Sequence, residues 1–293
     1  MKSKLHMALC ATTIFASSGA LATSPIDESH PMAADGRVRV DNMAGSIEVS
    51  TWDKAEVRIT GKLGEDVEEL EVRATSSGLD INVRNAHRLS NIDDTILYLQ
   101  VPVTASLETD SVSADVTVIG LKSASVSLDS VSGDFDLELD AGRLQADTVS
   151  GDVRFRGNSP RLSVETVSGD IDVEGQVDES EVTTVSGDVT FEGSKVDRGT
   201  FESVSGELDL RVDVLDGGSI NAENMSGDVF IALPAGQKGE IRAETFSGRI
   251  RSDFGTVTER RDGSGSSLSH GVDGSATSIE VESFSGDITV NAR

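Results

Sequence analysis

The stretch Thr166-Val167-Ser168-Gly169-Asp170-Ile171-Asp172-Val173 decides the fold, because its central phrase Val-Ser-Gly-Asp returns at a nearly fixed interval. The phrase stands at Val131 to Asp134, Val149 to Asp152, Val167 to Asp170 and Val185 to Asp188, with variants at Val204, Met225, Phe246 and Phe284 and a degenerate copy at Val112-Ser113-Ala114-Asp115. From glycine to glycine the steps are 18, 18, 18, 19, 21, 21 and 38 residues. A period of this length marks a stacked repeat, in which each unit buries its apolar face only against its neighbours. The expected fold is all-β: a single-stack β-solenoid with about 18–21 residues per coil.

Within a repeat, Leu162, Val164 and Thr166 share one parity, whereas Val167, Ile171 and Val173 share the other. Side chains alternate faces along a strand, so the change of parity places a corner or bulge between Thr166 and Val167, with Val167 expected on the inward face. Gly169 and Gly133 fall just past that corner, where close backbone approach or an unusual dihedral excludes a Cβ.

Stacking turns equivalent positions into columns. Three residues before each glycine stands a small hydrogen-bonding side chain, from Ser111 and Ser130 through Thr148, Thr166 and Thr184 to Ser203, Asn224, Thr245 and Ser283, which reads as a structural ladder. Four residues before it runs an acidic column that includes Asp129, Asp147, Glu202 and Glu282. One residue after it runs a second, from Asp115 to Asp287, broken by Arg249. Like charges directly opposite one another repel. Two readings of these columns stand: the carboxylates cap backbone N–H groups at the corner, or a hard cation such as Ca²⁺ bridges them. Further along, alternating signs at Asp136, Arg154 and Asp172 and at Glu138, Arg156 and Glu174 predict cross-rung ion pairs, each weak when exposed.

The N-terminus reads as a secretory signal peptide over residues 1–22, with basic Lys2 and Lys4, an apolar Met7 to Ala20 and the small-residue site Ala20-Leu21-Ala22. Its removal would take the single cysteine, Cys10, and leave 23 basic against 51 acidic residues, a net charge of −28. Such a surface repels nucleic acid and anionic headgroups, so charged partners are expected to be cationic. No stretch reaches the roughly 20 apolar residues of a transmembrane helix. Residues 23–35 are expected to be a flexible lead, 36–104 irregular β coils and an N-terminal cap, and 105–293 the regular repeats, with a flexible Gly/Ser loop over 258–276.

The order of these elements resembles a known family. A leader, an opening around Val40-Asp41-Asn42-Met43-Ala44-Gly45-Ser46-Ile47, the strand Leu97-Tyr98-Leu99-Gln100-Val101-Pro102 and the repeated Val-Ser-Gly-Asp coils are similar to the bacterial family of unknown function 4097, whose members carry the name "putative adhesin". The resemblance implies an architecture and an adhesin-like role, but no binding residues.

No catalytic, cofactor or metal residues are singled out. His30, His87 and His270 are isolated, Trp52 and Tyr98 are expected to pack in the cap, and the acidic residues form even columns instead of a cluster at one level. The expectation is a non-enzymatic, exported scaffold in the cell envelope, periplasmic in the absence of a translocator or wall-sorting pattern, with an unknown protein or glycan partner. A β-helix enzyme acting on envelope polysaccharide is the alternative.

Overall fold

The computed structural model describes residues 25–86, 93–260, 265–271 and 276–293. The expected signal peptide over residues 1–22 and His87 lie outside them. Every regular element described is a β-strand, and hydrogen bonds join all 21 strands into one continuous sheet wound into coils.

Each coil has two arms meeting at the Val-Ser-Gly-Asp corner. After the corner, Phe135, Val153, Ile171, Val189 and Leu208 lie in register through parallel pairing. Before it, Leu128, Ala146, Val164, Val182 and Phe201 do the same. These columns are buried and form one apolar core along the whole stack. Volumes are matched across it: Phe201 stands in register with Ala222, and its ring meets that of Phe191 edge-on at 4.8 Å.

Coil order in space differs from coil order in the chain at both ends. Arg37–Trp52 pairs with Gly78–Asn85 and Thr95–Pro102 on one side and with Ser106–Ser123 on the other, so the first coil in sequence is second in the stack. Symmetrically, Ser278–Ser285 and Ile288–Ala292 insert between Leu208–Ser226 with Val229–Leu233 and the coil of Glu240–Ser247 and Ile250–Ser252. The last coil in sequence is therefore penultimate in space.

Antiparallel strands close both ends. Val67–Ala74 covers Gly78–Asn85, and Glu56–Lys62 covers Thr95–Pro102 and is itself covered by Pro25–Pro31. At the other end, Ser266–His270 pairs with Glu240–Ser247 and with Thr256–Glu259. Such covers occupy hydrogen-bonding edges that would otherwise template another chain.

Three expectations are corrected. Residues 25–31 form an edge strand, not a flexible lead, because Ile26 and the nearby Met32 bury apolar side chains against the core. The 258–276 segment contains the ordered strand Ser266–His270, anchored by buried Leu268. Val167 and its equivalents do not point inward: they are exposed. The corner turns both Val167 and Ser168 outward, and inward alternation resumes at Gly169 and Ile171.

Of the two cap aromatics, Trp52 is half-buried, donates from Nε1 to the Glu56 carbonyl at 2.8 Å and carries the Lys54 ammonium 4.3 Å from its ring centre. Tyr98 stands exposed.

Candidate binding surface

The corner phrase is built by contact between coils. A Cβ on Gly169 would overlap the carbonyl oxygen of Gly151, and one on Gly151 that of Gly133. Steric exclusion, not dihedral strain, explains these glycines, since none of the three has a positive φ. The hydroxyl three residues earlier caps the corner: Ser130 Oγ, Thr148 Oγ1 and Thr166 Oγ1 accept the N–H of Gly133, Gly151 and Gly169 at 2.9, 3.1 and 3.0 Å.

Further along the stack the corner changes type. The N–H groups of Gly187, Gly206, Gly227 and Gly286 donate instead to the serine carbonyl of the next coil, at 3.0–3.2 Å. Thr184 Oγ1, Ser203 Oγ and Ser283 Oγ are left buried without a hydrogen-bond partner.

The acidic column after the glycine is a backbone-capping ladder. Asp134, Asp152 and Asp170 each present Oδ1 to the N–H of the next acid in the stack, at 2.9–3.0 Å, and Asp188 Oδ1 accepts from Glu207 at 2.8 Å. Arg249, the break in this column, occupies the last coil in space. No further rung follows there, so no further N–H needs a carboxylate. Its own N–H and guanidinium both donate to Asp287. On the same arm one expected cross-rung pair forms, Arg156 with Glu174 at 3.5 Å; Arg156 also reaches the diagonal Asp172 at 3.8 Å, whereas Arg154 pairs with Asp152 of its own coil at 3.2 Å instead of with the acids of neighbouring rungs.

The outward side of the corner carries a ridge of exposed apolar side chains, from Val112 to Val204 and then Met225, Phe284 and Phe246 in spatial order, each 43–59% exposed. The ridge is continuous because successive coils bond through it: the Val149 carbonyl accepts the N–H of Ser168, and the Val167 carbonyl that of Ser186. It ends in two stacked rings, Phe246 and Phe284, with centres 5.1 Å apart and planes within 5°. Isolated exposed apolar residues are ordinary, but a contiguous file of them marks an interaction surface.

Two residues before each ridge position, on the same outward face, runs the other acidic column. Between the two lies a groove of about 520 Å³ spanning the rungs of Val185 to Phe246, with Glu202, Glu223 and Glu282 along one wall. Arg260, from the C-terminal cap, closes the groove's end: its guanidinium pairs with Glu244 and lies 5.5 Å from the centre of the Phe246 ring. Partial burial and the neighbouring carboxylates of Glu280, Glu223 and Glu244 push the Glu282 carboxyl above the ordinary range.

The family model described as Toastrack DUF4097 matches residues 32–190 and again 160–291. The chain belongs to the DUF4097 family. The two matches overlap in the middle of the repeats, so the family pattern runs through the whole stack, with each half containing one reordered end. No curated protein matches the chain significantly. Solved structures with a similar chain path include a "putative adhesin" from Bacteroides fragilis (12% identity, TM-score 0.43, covering 93% of this chain and 99% of that one). Another is a "putative lipid binding protein" from Parabacteroides distasonis (13%, 0.49, 92% and 96%). A third is a "putative cell adhesion protein" from Clostridium sporogenes (10%, 0.26, 92% and 100%).

In this DUF4097 chain, no described group of His, Cys, Asp or Glu side chains has the arrangement of a metal site. No described helix is long and apolar enough to cross a membrane. His30 sits beside Glu28 at 3.1 Å and His270 against the Phe254 ring at 5.6 Å, far apart at opposite caps. The sequence does not reveal the ridge, because simple alternation past Thr166 puts Val167 and its equivalents on the inward parity with Ile171 and Val173, whereas they are exposed.

Proposed function

We propose that this protein is a non-enzymatic, exported β-solenoid that offers a repetitive binding or scaffolding surface in the bacterial cell envelope, adhesin-like in action and retained in the periplasm, with cationic partners. One observation carries this reading: an unbroken apolar ridge runs beside an acidic column on a rigid corner. Apolar surface supplies the driving force for association, and the carboxylates steer and select positive partners. The carboxylates are spread along the stack instead of converging at one level, which suits repeated weak contacts better than a single reacting centre.

The test is fractionation of cells making a C-terminally tagged chain, with a photo-crosslinking residue at Val204 or, as control, at Glu138. Release by osmotic shock as a chain lacking residues 1–22, with crosslinks to envelope components at position 204 only, is expected. Retention in the cytoplasm, or turnover of an envelope polysaccharide by the purified protein, would overturn the reading.

A further inference from the structure

We propose that the groove between the ridge and the Glu202–Glu223–Glu282 wall seats a basic amphipathic helix of a partner polypeptide. Its cations would pair with that wall while its apolar side chains lie on Val204, Met225 and Phe284. The inference rests on the proposed cation-selecting surface and names its site and occupant.

The protein itself already contains one instance of the chemistry. Arg260 reaches across the end of the groove, its charge on Glu244 of the acidic wall and its guanidinium by Phe246 of the ridge. The next carboxylates along the wall have no such cation: among the described residues, neither Glu202, Glu223 nor Glu282 forms an ion pair, and Glu223 accepts only the Asn221 side-chain N–H at 2.8 Å. Keeping Glu282 ionised is costly, first because it is partly buried and then because neighbouring carboxylates repel it, and its carboxyl is raised above the ordinary range accordingly. A ligand bringing positive charge relieves that repulsion.

Spacing selects the form of the partner. Rungs repeat at about 4.8 Å, while same-face side chains of an extended strand repeat at about 6.8 Å and turns of an α-helix at about 5.4 Å. Three helical turns drift by about 2 Å against three rungs, within reach of long basic side chains; a strand lying along the groove drifts about 6 Å. Charge excludes other occupants. A second copy of this chain would bring its own acidic columns, and anionic lipid or nucleic acid would meet carboxylates. Apolar anchors in a groove with a charged rim are the general mode by which amphipathic helices are held.

Fluorescence anisotropy with a labelled 18-residue Lys/Leu amphipathic helical peptide tests this, using protein purified after expression of the full coding sequence. Saturable binding is expected, about tenfold weaker for a scrambled peptide of the same composition. It should weaken about tenfold in Glu223→Gln/Glu282→Gln and in Met225→Ser/Phe284→Ser, with no change in the charge-matched control Glu138→Gln/Glu174→Gln. Melting curves confirm that the variants fold. Equal losses in the control, no loss in the ridge variant, or binding to phosphatidylglycerol vesicles in place of the peptide overturns the groove assignment. Polylysine separates the two levels: if it binds all variants alike, cation selection stands and the groove inference falls. If neither polylysine nor peptide binds, both fall.

Discussion

Asp287 accepts both the backbone N–H of Arg249, at 2.9 Å, and its guanidinium, at 3.0 Å, although Arg249 precedes it by 38 residues. The last coil of the chain thus supports the coil before it, and Arg249 ends the carboxylate ladder. The pairing also holds the Asp287 carboxyl below its ordinary range, through the backbone hydrogen bond first and the arginine charges after it. The chain's final residues are consequently internal to the sheet, hydrogen-bonded on both edges by Val229–Leu233 and Ile250–Ser252.

Removing residues 278–293 should therefore do more than shorten the stack. It would leave Leu208–Ser226 and Glu240–Ser247 facing a gap one coil wide, with two unpaired edges. Limited proteolysis should show the region beyond about residue 208 digested, and size-exclusion chromatography should show association. A monomeric product resistant up to residue 260 would contradict the inserted arrangement.

Gly169→Ala should destabilise the protein by about 2 kcal/mol or more, because the new Cβ meets the Gly151 carbonyl, which is fixed by the sheet. Gly236→Ala, where the added carbon would meet nothing within 4 Å and φ is not positive, should be neutral or slightly stabilising. Equal effects in urea melts would refute the steric account of the corner.

Two near-isosteric changes separate the two corner types. Thr166→Val removes the acceptor of the Gly169 N–H and should cost about 1–3 kcal/mol, whereas Thr184→Val deletes a buried hydroxyl with no partner and should be neutral or stabilising. The comparison needs only thermal melts of the two variants, and the reverse order would rule out the change of corner type between Gly169 and Gly187.

Mild acid should stabilise this protein. Partial burial, reinforced by neighbouring acids, raises the carboxyls of Asp129, Glu207 and Glu282. The folded state therefore holds those protons more tightly than the unfolded chain, and stability increases as pH falls from neutral through the raised values. Asp287 acts in the opposite sense: its stabilisation is present above the unfolded carboxylate pKa and is lost only as pH falls through its own lowered value. The melting temperature should rise as the pH is lowered from about 7.5 toward the ordinary carboxylate range at about 4.5, and added salt at the higher pH should raise it too. A steady fall between those pH values would contradict this.

Calcium should shift the melting temperature no more than magnesium at equal concentration. One oxygen of each Asp from Asp134 to Asp188 is committed to a backbone N–H, which leaves the ladder without a converging set of ligands. A large calcium-specific rise, removed by chelator, would restore the bridging reading.

The repeat interval, the corner glycine, the hydroxyl ladder at Thr148 and Thr166 and the capping acids were legible in the sequence, because each depends on the residues of one coil and its identical neighbours. A constant spacing puts like residues in register whichever coil lies next. The outward turn of Val167 was not legible: alternation fixes faces within a strand, but at a corner two successive side chains leave on the same side, and the apparent parity then misassigns the first. Stacking order at the two ends was not legible either, since near-equivalent coils could pair in any sequence. Tertiary structure decided it through hydrogen bonds between residues as distant as Val229 and Asp287, which leave the chain's last coil paired on both edges. The groove follows from that choice: only the insertion of Phe284 between Met225 and Phe246 stacks the two rings and brings Arg260 to the groove's end.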